Sequence, residues 1–238
     1  KIGGEWRVRV SDLAPDTSTP GAPTTRRRSR SWQRLLANRL VAADEPGAWQ
    51  VLQDALASGA TPEDLYLDVI GQALHRIGQD WSEGTVDVSQ EHAASAITNR
   101  LLGRLGPLFA RRGRRRGTVI LGAPPGDLHG IPITLVADPL RGRGFDVIDL
   151  GPDVPAASWA HVTRRANTLI GIGICATSPG QDKEIRAAVD AIHGVTDRPV
   201  VIGGAAVADA DHAAHLGADR WSPSARALID ELETMTQA

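Results

Sequence analysis

The residues best placed to do chemistry lie in Gly126-Asp127-Leu128-His129-Gly130. An Asp two positions before a His, on a loop, can take one ring nitrogen and leave the other facing outward. A carboxylate in that place orients an imidazole and raises its basicity, as it does behind metal-bound His. His129 reads either as an axial metal ligand with Leu128, Gly130 and Ile131 around it, or as a loop His capping the next helix. Two later turns are built from small or hydroxyl residues, Ala176-Thr177-Ser178-Pro179-Gly180 and Gly203-Gly204-Ala205-Ala206. Each alone reads as an ordinary strand-to-helix turn. Together, Thr177, Ser178, Gly203 and Gly204 outline a groove open to a long ligand arm, because small residues let a ligand approach the backbone. No G-x-G-x-x-G follows the first strand and no P-loop is present, which disfavours dinucleotide and nucleoside triphosphate sites.

The elements that must position these residues fall into two blocks. Trp32, Leu35, Leu36 and Leu40 have helical spacing, as do Trp49, Leu52 and Leu56 in a segment running from Asp44 to Ser58. Thr61-Pro62-Glu63-Asp64 is a helix start, with a cap, a proline at the first position and two acids on the dipole. That helix ends at Trp81-Ser82-Glu83-Gly84, and a last one runs from Val88 to about Ala110, so residues 31–112 are expected as a four-helix bundle. After the basic hinge Arg111–Arg116, apolar runs at Val119–Leu121, Phe145–Leu150, Leu169–Cys175 and Val200–Ile202 alternate with helical segments, and a short fifth strand fits near Arg220. Residues 117–238 therefore read as a doubly wound parallel sheet, which binds ligands at the carboxyl ends of its strands.

Composition sets limits on function. The chain has 238 residues, a formal net charge of −2 and a single cysteine, Cys175, so a disulfide framework and a Cys-based metal cluster are excluded. No apolar run approaches the ~20 residues of a membrane span, and no signal-peptide core is present; a cytoplasmic protein with no membrane partner is expected. Of nine aromatic residues six are Trp, and the one Met is Met235, which suggests a fragment or processed chain.

Asp127-x-His129, the Thr177-Ser178 turn and the Gly203-Gly204 turn, in that order, resemble the cobalamin-binding domain of methionine synthase and the adenosylcobalamin mutases. The resemblance implies a flavodoxin-like fold, a cobalt corrinoid held by His129 as its lower axial ligand, and a nucleotide tail slotted along the third and fourth strand turns. Two positions depart from the family pattern: Pro132 stands where its motif ends in Gly, and Gly173 replaces a Ser within the third strand, for which Thr177 or Ser178 could substitute. Trp81-x-x-Gly84 followed by Glu91-His92 is similar to the light-sensing regulators of the CarH type. That second resemblance implies adenosylcobalamin between the two domains, with Trp81 packed on the adenosyl group, Val88 lining its pocket, Glu91 accepting hydrogen bonds and His92 beside them. On pattern alone Trp81 reads equally as a helix-end core residue. Ser82 stands where those regulators place a His that captures cobalt after photolysis. Residues 1–13 resemble the wing of a winged helix-turn-helix, followed by a linker over 14–30. The expectation is a photoreceptor module of a transcriptional regulator, without turnover, in which Co–C photolysis alters a homo-oligomer and so its DNA binding. The alternatives are a corrinoid methyl carrier of a methyltransferase system and a light-independent cobalamin sensor. A carrier is expected to expose its upper face, which a bulky Trp81 and an acidic Glu91 argue against.

Overall fold

The computed structural model describes residues 23–236. Its amino-terminal half is helical: α1 (Pro23–Val41), α2 (Glu45–Ala57), α3 (Pro62–Asp64), a π-helical turn (Leu65–Ile70), α4 (Gly71–Ser82) and α5 (Val88–Leu105). The starts are set by local chemistry. Asp44 caps α2 by accepting from the Gly47 N–H at 2.9 Å. Thr61 and Asp64 form a reciprocal capping box at α3, and Asp87 and Gln90 form another at α5. Between α4 and α5, Gly84 adopts φ +76°, and the Thr85 and Val86 N–H groups both donate to the Asp80 carbonyl, which reverses the chain.

Several boundaries differ from the sequence expectation. α1 begins at Pro23, inside the stretch 14–30 expected as a linker, because a proline is tolerated at a first helical position and arginines favour helix. Residues 1–13, expected as a wing, and residues 14–22 lie outside the described residues. The last bundle helix stops at Leu105 and gives way to a 3-10 turn, Gly106–Phe109, because Pro107 has no N–H to continue the ladder.

The second half is a sheet of β1 (Thr118–Gly122), β2 (Asp146–Asp149), β3 (Leu169–Cys175), β4 (Val200–Gly203) and β5 (Arg220–Ser222), in the order β2-β1-β3-β4-β5 and with parallel pairing throughout. The connecting helices are α6 (Ile131–Gly142), α7 (Ala156–Arg165), α8 (Asp182–His193), α9 (Ala210–His215) and α10 (Ala225–Thr234). No periodic signal marks α9 in the sequence; it is six residues long and rests on its Asp209 cap. The architecture is a helical cap followed by a doubly wound, flavodoxin-like parallel sheet.

One face of the sheet and the cap share a core. Val119, Leu121, Cys175 and Val201 pack with Leu228 and Leu232 of α10, Ile133 and Leu140 of α6, and the bundle interior around Leu36, Leu52, Tyr66 and Leu101. The opposite face is covered through Trp159, Ile185, Val189 and Ile192. Gly173 makes room for its neighbour on β1, since a Cβ there would lie 2.6 Å from Leu121 Cδ2, whereas Leu228 of α10 would be at an ordinary 3.7 Å.

Candidate cofactor site

In the observed strand order, β1 leads outward to β2 on one side and β3 leads to β4 on the other. The loops after β1 and β3 therefore separate at a topological switch point, where doubly wound sheets bind ligands. Both candidate turns, 123–130 and 176–181, lie there.

Asp127 is fully buried. Its Oδ1 accepts from the His129 ring Nδ1 at 2.8 Å, the His129 backbone N–H at 3.1 Å and the Ser178 hydroxyl at 3.1 Å. Its Oδ2 accepts from the Thr177 and Ser178 backbone N–H groups. Burial by itself would push this carboxyl up; the hydrogen bonds from His129, Thr177 and Ser178 outweigh it and hold the group well below the usual carboxylate range. Asp127 is thus a permanent acceptor, which fixes the proton of His129 on Nδ1. Among the described residues the His129 Nε2 makes no hydrogen bond, and the side chain is 57% exposed. The bond to Asp127 raises the imidazole pKa against the cost of burial, with smaller contributions from the charges of Asp127 and Glu91. Glu91 belongs to the cap, so cap and loop face each other closely enough to interact by charge.

The residues expected on the upper face lie together at one end of the bundle. Trp81 closes α4 and is 52% exposed, and Val88 opens α5 at 57%. Glu91 accepts from Ser95 Oγ and pairs with His92 Nδ1, each at 2.7 Å, and the His92 ring is mostly solvent-exposed. Ser82 turns back on its own helix and donates to the Gln79 carbonyl at 2.7 Å. On the sheet side Leu128 is 73% exposed, Gly130 stands just before α6, and Ile131 begins that helix and packs on the shared core.

Other assignments change in detail. The Ser178 hydroxyl is engaged by Asp127, and both backbone N–H groups of the Thr177-Ser178 turn serve the same carboxylate. The two glycines answer to the protein's own backbone: a Cβ on Gly203 would lie 2.7 Å from the Ser222 carbonyl oxygen, and one on Gly204, at φ +114°, 2.1 Å from that of Ala176. Asp153, which follows β2, was not anticipated. Its Oδ1 accepts from the Gly126 N–H at 2.7 Å and its own N–H donates to the Asp127 carbonyl at 2.8 Å, bracing the loop that carries His129. Its place at a strand's carboxyl end was the available signal.

These residues fit a corrinoid. Imidazole suits cobalt, and a lone outward imidazole backed by a buried carboxylate suits a metal that arrives with its other donors attached. Among the described residues no cluster of three or more His, Cys, Asp or Glu is placed to hold a bare metal ion. The exposed Trp81, Val88 and Leu128 supply apolar surface for a broad, flat ring.

Residues 32–105 match a family model described as a B12 binding domain, and residues 117–229 match a second of the same description. Trimethylamine corrinoid protein 1 of Methanosarcina acetivorans is 26% identical over 197 residues, covering 81% of this chain and 91% of that protein. The trimethylamine corrinoid protein of Methanosarcina barkeri is 26% identical over 195 residues, covering 80% of this chain and 89% of that protein. The structure of the Methanosarcina barkeri monomethylamine corrinoid protein shares the fold, with a TM-score of 0.75 at 20% identity over 87% of this chain and 99% of that one. The chain is a cobalamin-binding protein of the two-domain kind, a helical cap on a flavodoxin-like sheet. Methylamine corrinoid proteins are among its relatives over four-fifths of its length.

That kinship corrects the CarH-type expectation. The photoreceptor role, control of transcription, DNA as a partner and the light-driven change of oligomer are all withdrawn. The resemblance carried by Asp127, His129 and the glycine turn is to cobalamin-binding domains at large and does not select among them; the choice rests on Trp81, Glu91 and His92, which sit at one exposed end of the bundle. No helix among the described residues is long and apolar enough to cross a membrane.

Proposed function

We propose that the chain is a cytoplasmic corrinoid methyl carrier, which takes a methyl group from a methylated amine through one methyltransferase and yields it to an acceptor through another, with no turnover of its own. The observation that carries this reading is His129, tied through Nδ1 to a buried carboxylate, with Nε2 open beneath a cap rim that is itself exposed, in a chain aligned over most of its length with methylamine corrinoid proteins. When bound, the corrinoid supplies a cobalt that accepts and releases a methyl group. His129 would hold it from below, and Asp127 would keep that imidazole in the right tautomer and tune how strongly it donates. Trp81 and Val88 would shield the upper face, and their exposure leaves that rim within reach of a partner enzyme. The bulk of Trp81 is therefore no obstacle to a carrier. This reading calls for a methyl group as the upper ligand in place of adenosyl.

The test is loading the purified chain with methylcobalamin and, in parallel, adenosylcobalamin, followed by absorbance. In the carrier reading methylcobalamin binds at least as tightly, and the loaded chain gives up its methyl group to a thiol in the presence of a corrinoid-dependent thiol methyltransferase. Strong preference for adenosylcobalamin, with no methyl release, overturns it. Loss of nitrogen hyperfine splitting from the reduced cobalt signal in His129→Ala checks the lower ligand separately.

A further inference from the structure

Among the described residues, every hydrogen bond and ion pair between the cap and the α/β domain runs through one short cap segment, Glu63 to Asp68. Glu63 receives Arg143 (Nη2 to Oε1 at 2.7 Å) and Arg226 (Nη1 to Oε1 at 3.3 Å). Asp68 accepts from Arg226 at 3.0 Å. Between them the Tyr66 hydroxyl, in the shared core, donates to Asp138 of α6 at 2.8 Å. Arg143 is held in turn by Asp230 and Glu233 of α10, and Glu233 also pairs with Arg116.

This segment is also where the bundle helix departs from α geometry. Leu65–Ile70 is π-helical, and the Gly71 N–H reaches back to the Tyr66 carbonyl. Such a turn carries a local excess of chain and is a common site of functional bending. A Cβ on Gly71 would sit 3.7 Å from Leu135 of α6, so α4 leaves the interface from a close contact with α6.

Two helices run from this root to the cofactor site. α4 climbs from Gly71 to Trp81, about 15 Å at the α-helical rise, and α6 runs from Asp138 back to Ile131, about 10 Å, next to His129. Each carries one jaw of the site at its far end. At that far end the described residues contain no hydrogen bond or ion pair joining the jaws.

We propose that Glu63, Tyr66 and Asp138 are positioning residues that form a clasp at the root of the two jaws and set the gap between Trp81 and His129. The inference rests on the corrinoid site lying between cap and sheet. Bonds confined to one edge leave the other free to open by bending at the π-helical turn, and the clasp fixes the closed end of that range. The charged half, Glu63 with Arg143 and Arg226, sets the angle, and the buried half, Tyr66 with Asp138, is the pivot.

The test is a distance measurement on the unloaded full chain, using spin labels at Glu83→Cys on the cap rim and Ala157→Cys on the first turn of α7. Cys175 is buried, with its thiol pushed up to about 12, and so takes no label. The clasp predicts that Glu63→Gln lengthens or broadens the distance distribution by ~3 Å or more, as a small tilt of a 15 Å lever requires. Tyr66→Phe should do the same, and Arg143→Lys should fall between parent and Glu63→Gln. Glu45→Gln, which breaks the Arg100 pair inside the cap, should leave it unchanged. A Glu63→Gln distribution superimposable on the parent, in a chain of unchanged Tm, overturns the proposal; if Tyr66→Phe does not fold, Glu63→Gln decides alone. That result would leave the lower-ligand reading intact, because the His129→Ala measurement decides it independently.

Discussion

One oxygen of Asp127 serves His129 twice: Oδ1 accepts from the ring Nδ1 at 2.8 Å and from the backbone N–H of the same residue at 3.1 Å. The carboxylate thereby fixes both the orientation of the imidazole and the turn that presents it. Replacing it by Asn puts an amide NH2 among the N–H donors of Thr177, Ser178 and His129. Asp127→Asn is expected to lower corrinoid affinity ~10–100-fold, the usual cost of losing a carboxylate behind a metal-bound His. It should also cost about 1–3 kcal/mol of stability through unpaired buried donors. Absorbance titration and urea unfolding read the two effects separately.

The same pair sets a pH dependence. The folded pKa of His129 is raised, so the pairing adds stability that is full below its ordinary value of about 6.5 and is lost as pH rises through the higher folded value. Ligation runs the other way, since Nε2 must be unprotonated to bind cobalt. An NMR titration of the unloaded chain should place the His129 midpoint above about 6.5, and Asp127→Asn should bring it down. Asp127, whose folded pKa is depressed, contributes stability present above about 3.9 and lost only as pH falls through its much lower folded value.

On the carrier reading Trp81 would make its main contribution with the site filled. Because about half of it is exposed in the unloaded chain, Trp81→Ala should cost about 1–2 kcal/mol of unfolding free energy, short of the ~3–5 kcal/mol of a fully buried aromatic. In the loaded chain the same change should speed air oxidation of the reduced corrinoid several-fold, followed by absorbance. Equal oxidation rates would remove Trp81 from the upper face.

Two glycines, Gly204 just after β4 and Gly173 within β3, carry a structural load. Gly204→Ala combines a positive φ with a Cβ set against the Ala176 carbonyl, and should cost about 2 kcal/mol or more. Gly173→Ser meets only the end of the Leu121 side chain, and should cost less, within about 1–3 kcal/mol for overpacking. Urea midpoints of the two variants check the order.

The sequence reached furthest where chemistry is local. The cap at Thr61 and the buried parallel strands are written in adjacent residues, and so is the Asp127–His129 pair. What it hid depends on chain brought from afar: Ser178 reaches Asp127 across 51 positions because β3 lies beside β1, and Tyr66 meets Asp138 across 72. The π-helical turn was invisible because Leu65, Leu67 and Ile70 keep an apolar spacing that a regular helix also satisfies. The upper face misled for a different reason. Trp81 is half exposed and Glu91 bonds to Ser95 and His92 on its own helix, so their types alone could not tell one corrin-holding chain from another.

Cys175 closes β3, one residue before the turn that serves Asp127, and is the chain's single thiol. A thiolate is the acceptor to which a methyl carrier is expected to deliver, so a reactive sulfur of its own would intercept the cargo. Burial pushes this thiol up to about 12, leaving it protonated at neutral pH and shut inside the core. On the proposed carrier reading, a thiol shielded in this way would be kept from taking the methyl group itself.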